Sequence, residues 1–282
     1  MSLKINYKIH SLIARKTLYK NIEDLDKVTE QLSSGKKLRA PKDDAAAFKV
    51  SQNLQLSIHN SEYLVSNIEV SKDFMAVAES GLSSVNDNLT RIRALCLRGA
   101  NSFYNDTQIS TIASEISQRL EEIDRMAESV SFRNMPLLNG SCSDLKFQIG
   151  TGSTPFENTL NVGSAFIDVH TSALGLDTTI FDEGSYGSPD DFSAYLEKID
   201  NAVSLINTGI SKMGTYEFSL NDKQNFLSET MDTFSSYRSG LIDTDVAYAS
   251  SELAKQQIME NITVALWQQA NQIPSTAMQL LR

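Results

Sequence analysis

The sequence predicts a mainly α fold: a long antiparallel helical rod or coiled-coil bundle with a small β-hairpin region, and N- and C-terminal helices paired with each other. Three observations predict it. Heptad-spaced apolar residues run for about fifty residues in the C-terminal half. Helix breakers are sparse, with 13 glycines and 5 prolines in 282 residues, so long stretches are free to stay helical. Between Asn139 and Ser188 the pattern changes to turn residues and period-two alternation.

The first element, residues 5–32, carries a weak apolar stripe: Ile5, Ile9, Leu12, Leu18, Ile22, Leu25 and Leu32. An isolated helix of that quality is barely stable in water. LSSGKKLRAPKDDAAAFKV follows, from Leu32 to Val50. A phosphate-binding loop would need G-x-x-x-x-G-K-[ST] after a strand, and Gly35-Lys36-Lys37 lacks the first glycine. The stretch reads instead as a joint. Gly35 ends one helix, Pro41 holds Ala40 extended, and Asp43 or Asp44 caps the next helix.

A second helix is predicted from about Asp43 to Asn101, with Val50, Leu54, Ile58, Val65, Ile68, Met75, Leu82, Val85, Leu89, Ile92 and Cys96 on or near one stripe. A third runs from about Asp106 to Val130, with Ile109, Ile112, Ile116, Leu120, Ile123 and Val130. Asn139-Gly140 marks a turn. DLKFQI and TLNV, separated by the loop GTGSTP, read as two short strands. The long rod opens at Ser188-Pro189-Asp190-Asp191, a cap, a first-position proline and two acids facing the helix dipole. Its seam is Phe192, Leu196, Ile199, Val203, Ile206, Ile210, Met213, Leu220, Leu227, Met231, Phe234 and Leu241, with Glu217, Gln224 and Arg238 in the polar slots. Fifty residues of helix span roughly 75 Å. Gly209 and Gly214 each cost about 1 kcal/mol inside it, which partner helices must offset. Residues 243–273 form a last marginal helix with Val246, Leu253, Ile258, Ile262 and Leu266. Residues 1–42 and 243–282 therefore group as one discontinuous unit. Residues 43–242 form the rod, with its hairpin region at about 139–188.

Composition narrows the function. The net charge is −10, although residues 1–42 carry ten Lys/Arg against four Asp/Glu. An acidic remainder argues against nucleic acid as partner. No window has the ~18 apolar residues of a membrane span, and MSLKINYKIH has no apolar signal core, so no cleavable secretory signal is expected. Cys96 and Cys142 are too few for a disulfide framework and read as packed apolar side chains. His10, His59 and His170 are scattered, no H-E-x-x-H occurs, and Asp43/Asp44 and Glu121/Glu122 are adjacent on helices and diverge. No enzyme, cofactor or metal site is expected.

Several motifs occur together in order: INYKIHSLIA, LSSGKKLRAPKDDAAAFKVS, LTRIRALCLRGANS, SEISQRLEEIDRMAES, SFRNMPLLNG and the ending QQANQIPSTAMQLLR. Together they resemble bacterial flagellins over about residues 1–150 and 205–282. The resemblance implies a short flagellin without outer inserted domains, a subunit that polymerises into the motility filament outside the cell after unfolded export through the flagellar type III apparatus. It implies an assembly interface on the terminal helices, here Ile5, Leu12, Leu18, Leu25, Leu32, Leu253, Ile262, Leu266, Leu280 and Leu281. It implies a spoke joint at Gly35, Arg39, Pro41, Asp43 and Asp44. It places Arg91, Leu95 and Glu115 where similar flagellins meet a Toll-like receptor, or where neighbouring subunits touch. Implied partners are further copies, other flagellins, an export chaperone at the C-terminal helix, and hook-associated junction and cap proteins. The sequence departs from the pattern at Pro41, Phe48, Ala94 and Cys96. The alternatives are a hook–filament junction protein, a minor flagellin of a mixed filament, and a soluble coiled-coil adaptor; the adaptor would explain the heptads but not the matched, marginal termini.

Overall fold

The computed structural model of the protein describes residues 7–152, 154–177, 181 and 188–280. Six helices occur among them: α1 Tyr7–Ser34, α2 Ala45–Gly99, α3 Asp106–Ser129, the single turn α4 Pro155–Asn158, α5 Pro189–Ile242 and α6 Val246–Leu280. Two antiparallel strand pairs lie between α3 and α5: β1 Ser131–Phe132 with β2 Met135–Pro136, and β3 Lys146–Gln148 with β4 Thr159–Asn161. The chain divides into two compact units, Met1–Ile58 with Thr233–Arg282, and His59–Asp232. These units divide inside α2 and α5, whereas the sequence pattern puts its boundary at the turns near 42 and 243.

The His59–Asp232 unit holds the main core. Ile68, Met75, Leu82, Leu89 and Ile92 of α2 are buried with Ile116, Leu120 and Ile123 of α3 and Ile199, Ile206, Met213 and Leu220 of α5. Burying side chains of this size contributes about 1.5–3 kcal/mol each. Val50, placed on the predicted α2 stripe, is exposed. Helix starts follow local chemistry. Asn105 and Gln108 form a reciprocal capping box at α3. At α5 the Ser188 backbone N–H donates to Asp191 Oδ2 at 2.7 Å, and Asp191 N–H donates back to Ser188 Oγ at 3.3 Å. Gln224, a polar slot in the seam, lies opposite Lys72 and Glu69 of α2. Gly209 packs closely against Leu82 and Ile167.

The β region lies on this core through aromatic rings. Phe74 of α2 makes edge contacts with Phe132, Phe147 and Phe166 at centroid distances of 5.4, 5.9 and 5.4 Å. The β3–β4 pairing joins the two strands expected from DLKFQI and TLNV. β1–β2 is an addition. Its turn uses Arg133 at φ 49° and Asn134 at φ 67°, left-handed positions without a glycine to announce them. The segment expected as the loop GTGSTP ends in the helical turn α4, which Pro155 starts. Both cysteines are free and buried. Burial pushes the Cys96 thiol up to about 12.

Candidate assembly interface

The other unit is built on α1 and α6, which pack along each other. Asn21 Nδ2 donates to Thr263 Oγ1 at 2.8 Å, and Ser11 Oγ donates to Asn271 Oδ1 at 2.8 Å, so the pairing is antiparallel. These bonds identify the inner face. On α1 it carries Ala14, Leu18, Asn21, Leu25 and Val28; on α6 it carries Ala249, Leu253, Gln256, Glu260, Thr263 and Trp267, all buried or half-buried.

Much of the larger apolar surface points the other way. Leu12 and Ile13 are 53% and 58% exposed; on α6, Ile258, Ile262 and Leu266 are 58%, 47% and 54% exposed. A groove lined by Ile13, Ala14, Thr17, Thr263, Leu266 and Ala270 runs beside them. An exposed apolar surface of this kind is the type that marks an interaction site. Of the residues expected at an assembly surface, Leu12, Ile262 and Leu266 lie on this outer face, while Leu18, Leu25, Leu32 and Leu253 are half-buried. Ile5, Leu281 and the side chain of Leu280 lie outside the described residues. Ile13 and Met259 belong to the exposed surface as well; the sequence reading passed over both.

Two connectors close the end of this unit. Gly35, at φ +68°, terminates α1. Lys37 N–H then donates to Ile242 O at 2.7 Å, and Thr244 N–H donates to Gly35 O at 2.8 Å, making an isolated bridge between Lys36 and Asp243. Arg39 pairs with Glu30. The two adjacent aspartates divide the work. Asp43 Oδ2 accepts Arg39 and Ala40 N–H at 3.2 Å, and these two backbone donors hold its carboxyl below the usual carboxylate range. Asp44 Oδ1 accepts Ala46 and Ala47 N–H at 3.0 Å and caps α2. Asp245 caps α6 in the same way, accepting from Ala247 and Tyr248. Pro41 sits exposed in the turn between Arg39 and Asp43. The joint is thus held mainly by backbone bonds and by carboxylates on backbone donors, and it has no catalytic geometry.

Terminal helices that pair with each other, yet leave their apolar residues outward, fit what the comparisons with known proteins find. The bacterial flagellin N-terminal helical region matches residues 5–143, and the bacterial flagellin C-terminal helical region matches residues 196–281. The chain belongs to the bacterial flagellin family. Flagellin from Bacillus subtilis (strain 168) is 28% identical, with 99% of this chain and 100% of that protein covered. The flagellar filament 30.7 kDa core protein of Treponema maltophilum is 27% identical, over 98% of this chain and 99% of its own. A solved structure of a Vibrio parahaemolyticus protein described as flagellar hook-associated shares the fold, with a TM-score of 0.57 and 18% identity over 71% of this chain and all of that one. As a flagellin, the chain is a structural subunit of the flagellar filament. No helix of the described residues is long and apolar enough to cross a membrane.

In this flagellin Arg91 and Glu115 are paired across α2 and α3 at 3.1 Å, and Arg119 joins Glu115 at 3.3 Å. The two arginines hold the Glu115 carboxyl low, although desolvation opposes them as the largest single influence. Leu95 is not with them at the surface. It is 1% exposed, inside the core with Ile92 and Cys96. The four-residue spacing puts Arg91 and Leu95 on one side of α2, but the core edge passes between them, so only the Arg91–Glu115 pair is offered outward.

Proposed function

We propose that the outer apolar face of the α1–α6 pair, with Leu12, Ile13, Ile262 and Leu266 at its centre, is the surface through which copies of this chain join into the filament. The observation that carries the reading is the half-exposure of those side chains on two helices already packed to each other. The basic N-terminal arm and the acidic remainder of the chain make association electrostatically favourable. The subunit leaves the cell unfolded through the flagellar type III apparatus, with an export chaperone covering the α6 apolar residues beforehand. Hook-associated junction and cap proteins meet the same terminal helices at the filament ends. The exposed Arg91–Glu115 pair contacts a neighbouring subunit or a Toll-like flagellin receptor, without direct help from Leu95.

Seeded polymerisation of the purified full chain, viewed by electron microscopy, tests the reading. Long uniform tubes grown from seeds of this chain alone are the expected result. Monomer that persists, and extends only seeds of another flagellin, assigns the chain to a junction or minor-subunit role instead.

A further inference from the structure

We infer that Asn21 and Thr263 fix the register of the α1–α6 pair. They are the buried polar residues of these two helices among the described residues, 7% and 4% exposed. Their bonds belong to one alignment. Asn21 Nδ2 donates to Thr263 Oγ1 at 2.8 Å and to Met259 O at 3.3 Å. The Thr263 hydroxyl accepts that bond while donating its own proton to Met259 O at 2.7 Å. Both donors of the carboxamide therefore have acceptors within one turn of α6.

The rest of the inner face is mixed. Ala14, Leu18, Leu25 and Val28 meet a helix face of Ala249, Leu253 and Trp267 with the half-buried Gln256 and Glu260, and among its described polar residues Thr263 alone is buried. A slip of one heptad sets Ala270 or Gln256 opposite Asn21. Ala270 has no side-chain acceptor; Gln256 donates its Nε2 to Glu252 and could offer only its Oε1, on a longer side chain that is not buried. A buried carboxamide that loses its acceptor disfavours the Ala270 register by about ten- to hundred-fold. Single polar residues inside apolar helix pairs set register in the same way. The Ser11–Asn271 bond adds a second rung farther along the same alignment. Asn21 and Thr263 are positioning residues. They act on how the outer face is presented.

The inference concerns pairing within one copy, and its test separates from that of assembly. Nitroxide labels go on Arg15→Cys and Asn261→Cys, both exposed, in the full chain; Cys96 and Cys142 are buried and stay unlabelled. Labelled chain is diluted into unlabelled chain and grown from seeds, and the label–label distance is read by pulsed electron resonance. The natural inner pair should give one narrow distance. Asn21→Leu with Thr263→Val should keep helix content and broaden the distribution by components displaced by about 10 Å, one heptad of rise. Exchanging the two, Asn21→Thr with Thr263→Asn, should restore the narrow distance. Exclusion of the apolar variant from filaments that accept the exchanged one supports the same assignment. A narrow, unshifted distance in the apolar variant, or an exchanged variant as broad as the apolar one or equally excluded, overturns it. Failure of the natural inner pair to grow from seeds concerns the assembly reading alone.

Discussion

Replacing Leu266 by aspartate attacks assembly while sparing the fold. Leu266 is 54% exposed, so roughly half of its burial free energy remains unrealised in the single chain. Full burial of a leucine is worth about 1.5–3 kcal/mol, leaving about 1 kcal/mol to be gained when a second copy covers it. A carboxylate in its place adds the cost of desolvating a charge without a partner, about 2 kcal/mol or more. The sum is about 3 kcal/mol per subunit, equivalent to a rise of about hundred-fold in the critical concentration for polymerisation. Sedimentation of seeded mixtures over a concentration series measures that quantity directly. Thermal unfolding of the His59–Asp232 unit should not move, because Leu266 belongs to the other unit. Leu253→Asp, at a half-buried position, should block growth by loosening the α1–α6 pair itself. A Leu266→Asp protein that polymerises at the natural critical concentration would refute the assignment of the outer face.

Gly163→Ala probes the β region: an added Cβ would sit 1.9 Å from the Ser143 carbonyl oxygen and 3.0 Å from Asp144 N, backbone atoms that cannot swing away. Forcing them apart endangers the Val162 N–H bond to Leu145 O, and a loss of about 3 kcal/mol should appear as a lower denaturation midpoint of the His59–Asp232 unit. Gly35→Val meets open space but a left-handed backbone, so it should cost about 1–2 kcal/mol in the terminal unit, read as faster proteolysis at the joint. His170 bonds Asp168 at 2.6 Å and Glu128 at 3.1 Å; the Asp168 hydrogen bond is first among the causes that raise its pKa above the ordinary value. A raised folded pKa gives stability that is fully present below the unfolded value near 6.5 and fades as pH rises through the folded one, so His170→Asn should flatten the pH dependence of unfolding in that window. Arg91→Ala should weaken receptor binding in a direct titration, and unchanged affinity removes Arg91 from the proposed receptor contact.

The long seam was legible because heptad spacing over fifty residues leaves one answer: Phe192, Ile199, Ile206, Met213 and Leu220 of α5 are all buried. The cap at Ser188 was legible from residue type, and that of α2 as Asp43 or Asp44, since short polar side chains beside a helix start satisfy its free N–H groups; residue type does not say which of two adjacent aspartates does so. The β1–β2 turn was not, because its left-handed residues are arginine and asparagine in place of glycine. Leu95 shows another limit. Arg91 and Leu95, four residues apart, share one side of α2, yet Arg91 is paired at the surface and Leu95 lies in the core, because periodicity finds a helix face but not where the core edge crosses it. Asn21 did leave a signal. It continues the four-three spacing of Ala14, Leu18, Leu25 and Val28, and a polar residue in such a series is a marker of register.

The terminal helices also explain why periodicity could find their stripes without assigning them. The inner face of α6 holds Gln256, Glu260 and Thr263 beside Ala249, Leu253 and Trp267, while Ile258, Ile262 and Leu266 lie outward. Ordinary amphipathic helices place their largest apolar residues against the fold they belong to. Here part of the apolar surface stays outside the intramolecular seam. On the proposed reading the pair is aligned by a few hydrogen bonds and leaves that surface for other copies to cover. That division suits a filament subunit. A seam strong enough to close on its own would compete with assembly, and an outer face without an aligned inner one would accept neighbours in many registers. It follows that removing the polar pin and removing the outer leucines should fail differently. Asn21→Leu with Thr263→Val should disorder the lattice of filaments that form, whereas Leu266→Asp should leave few filaments, each with the natural lattice. Electron diffraction from the two preparations distinguishes the outcomes, and a shared defect would mean that alignment and adhesion are not separate in these helices.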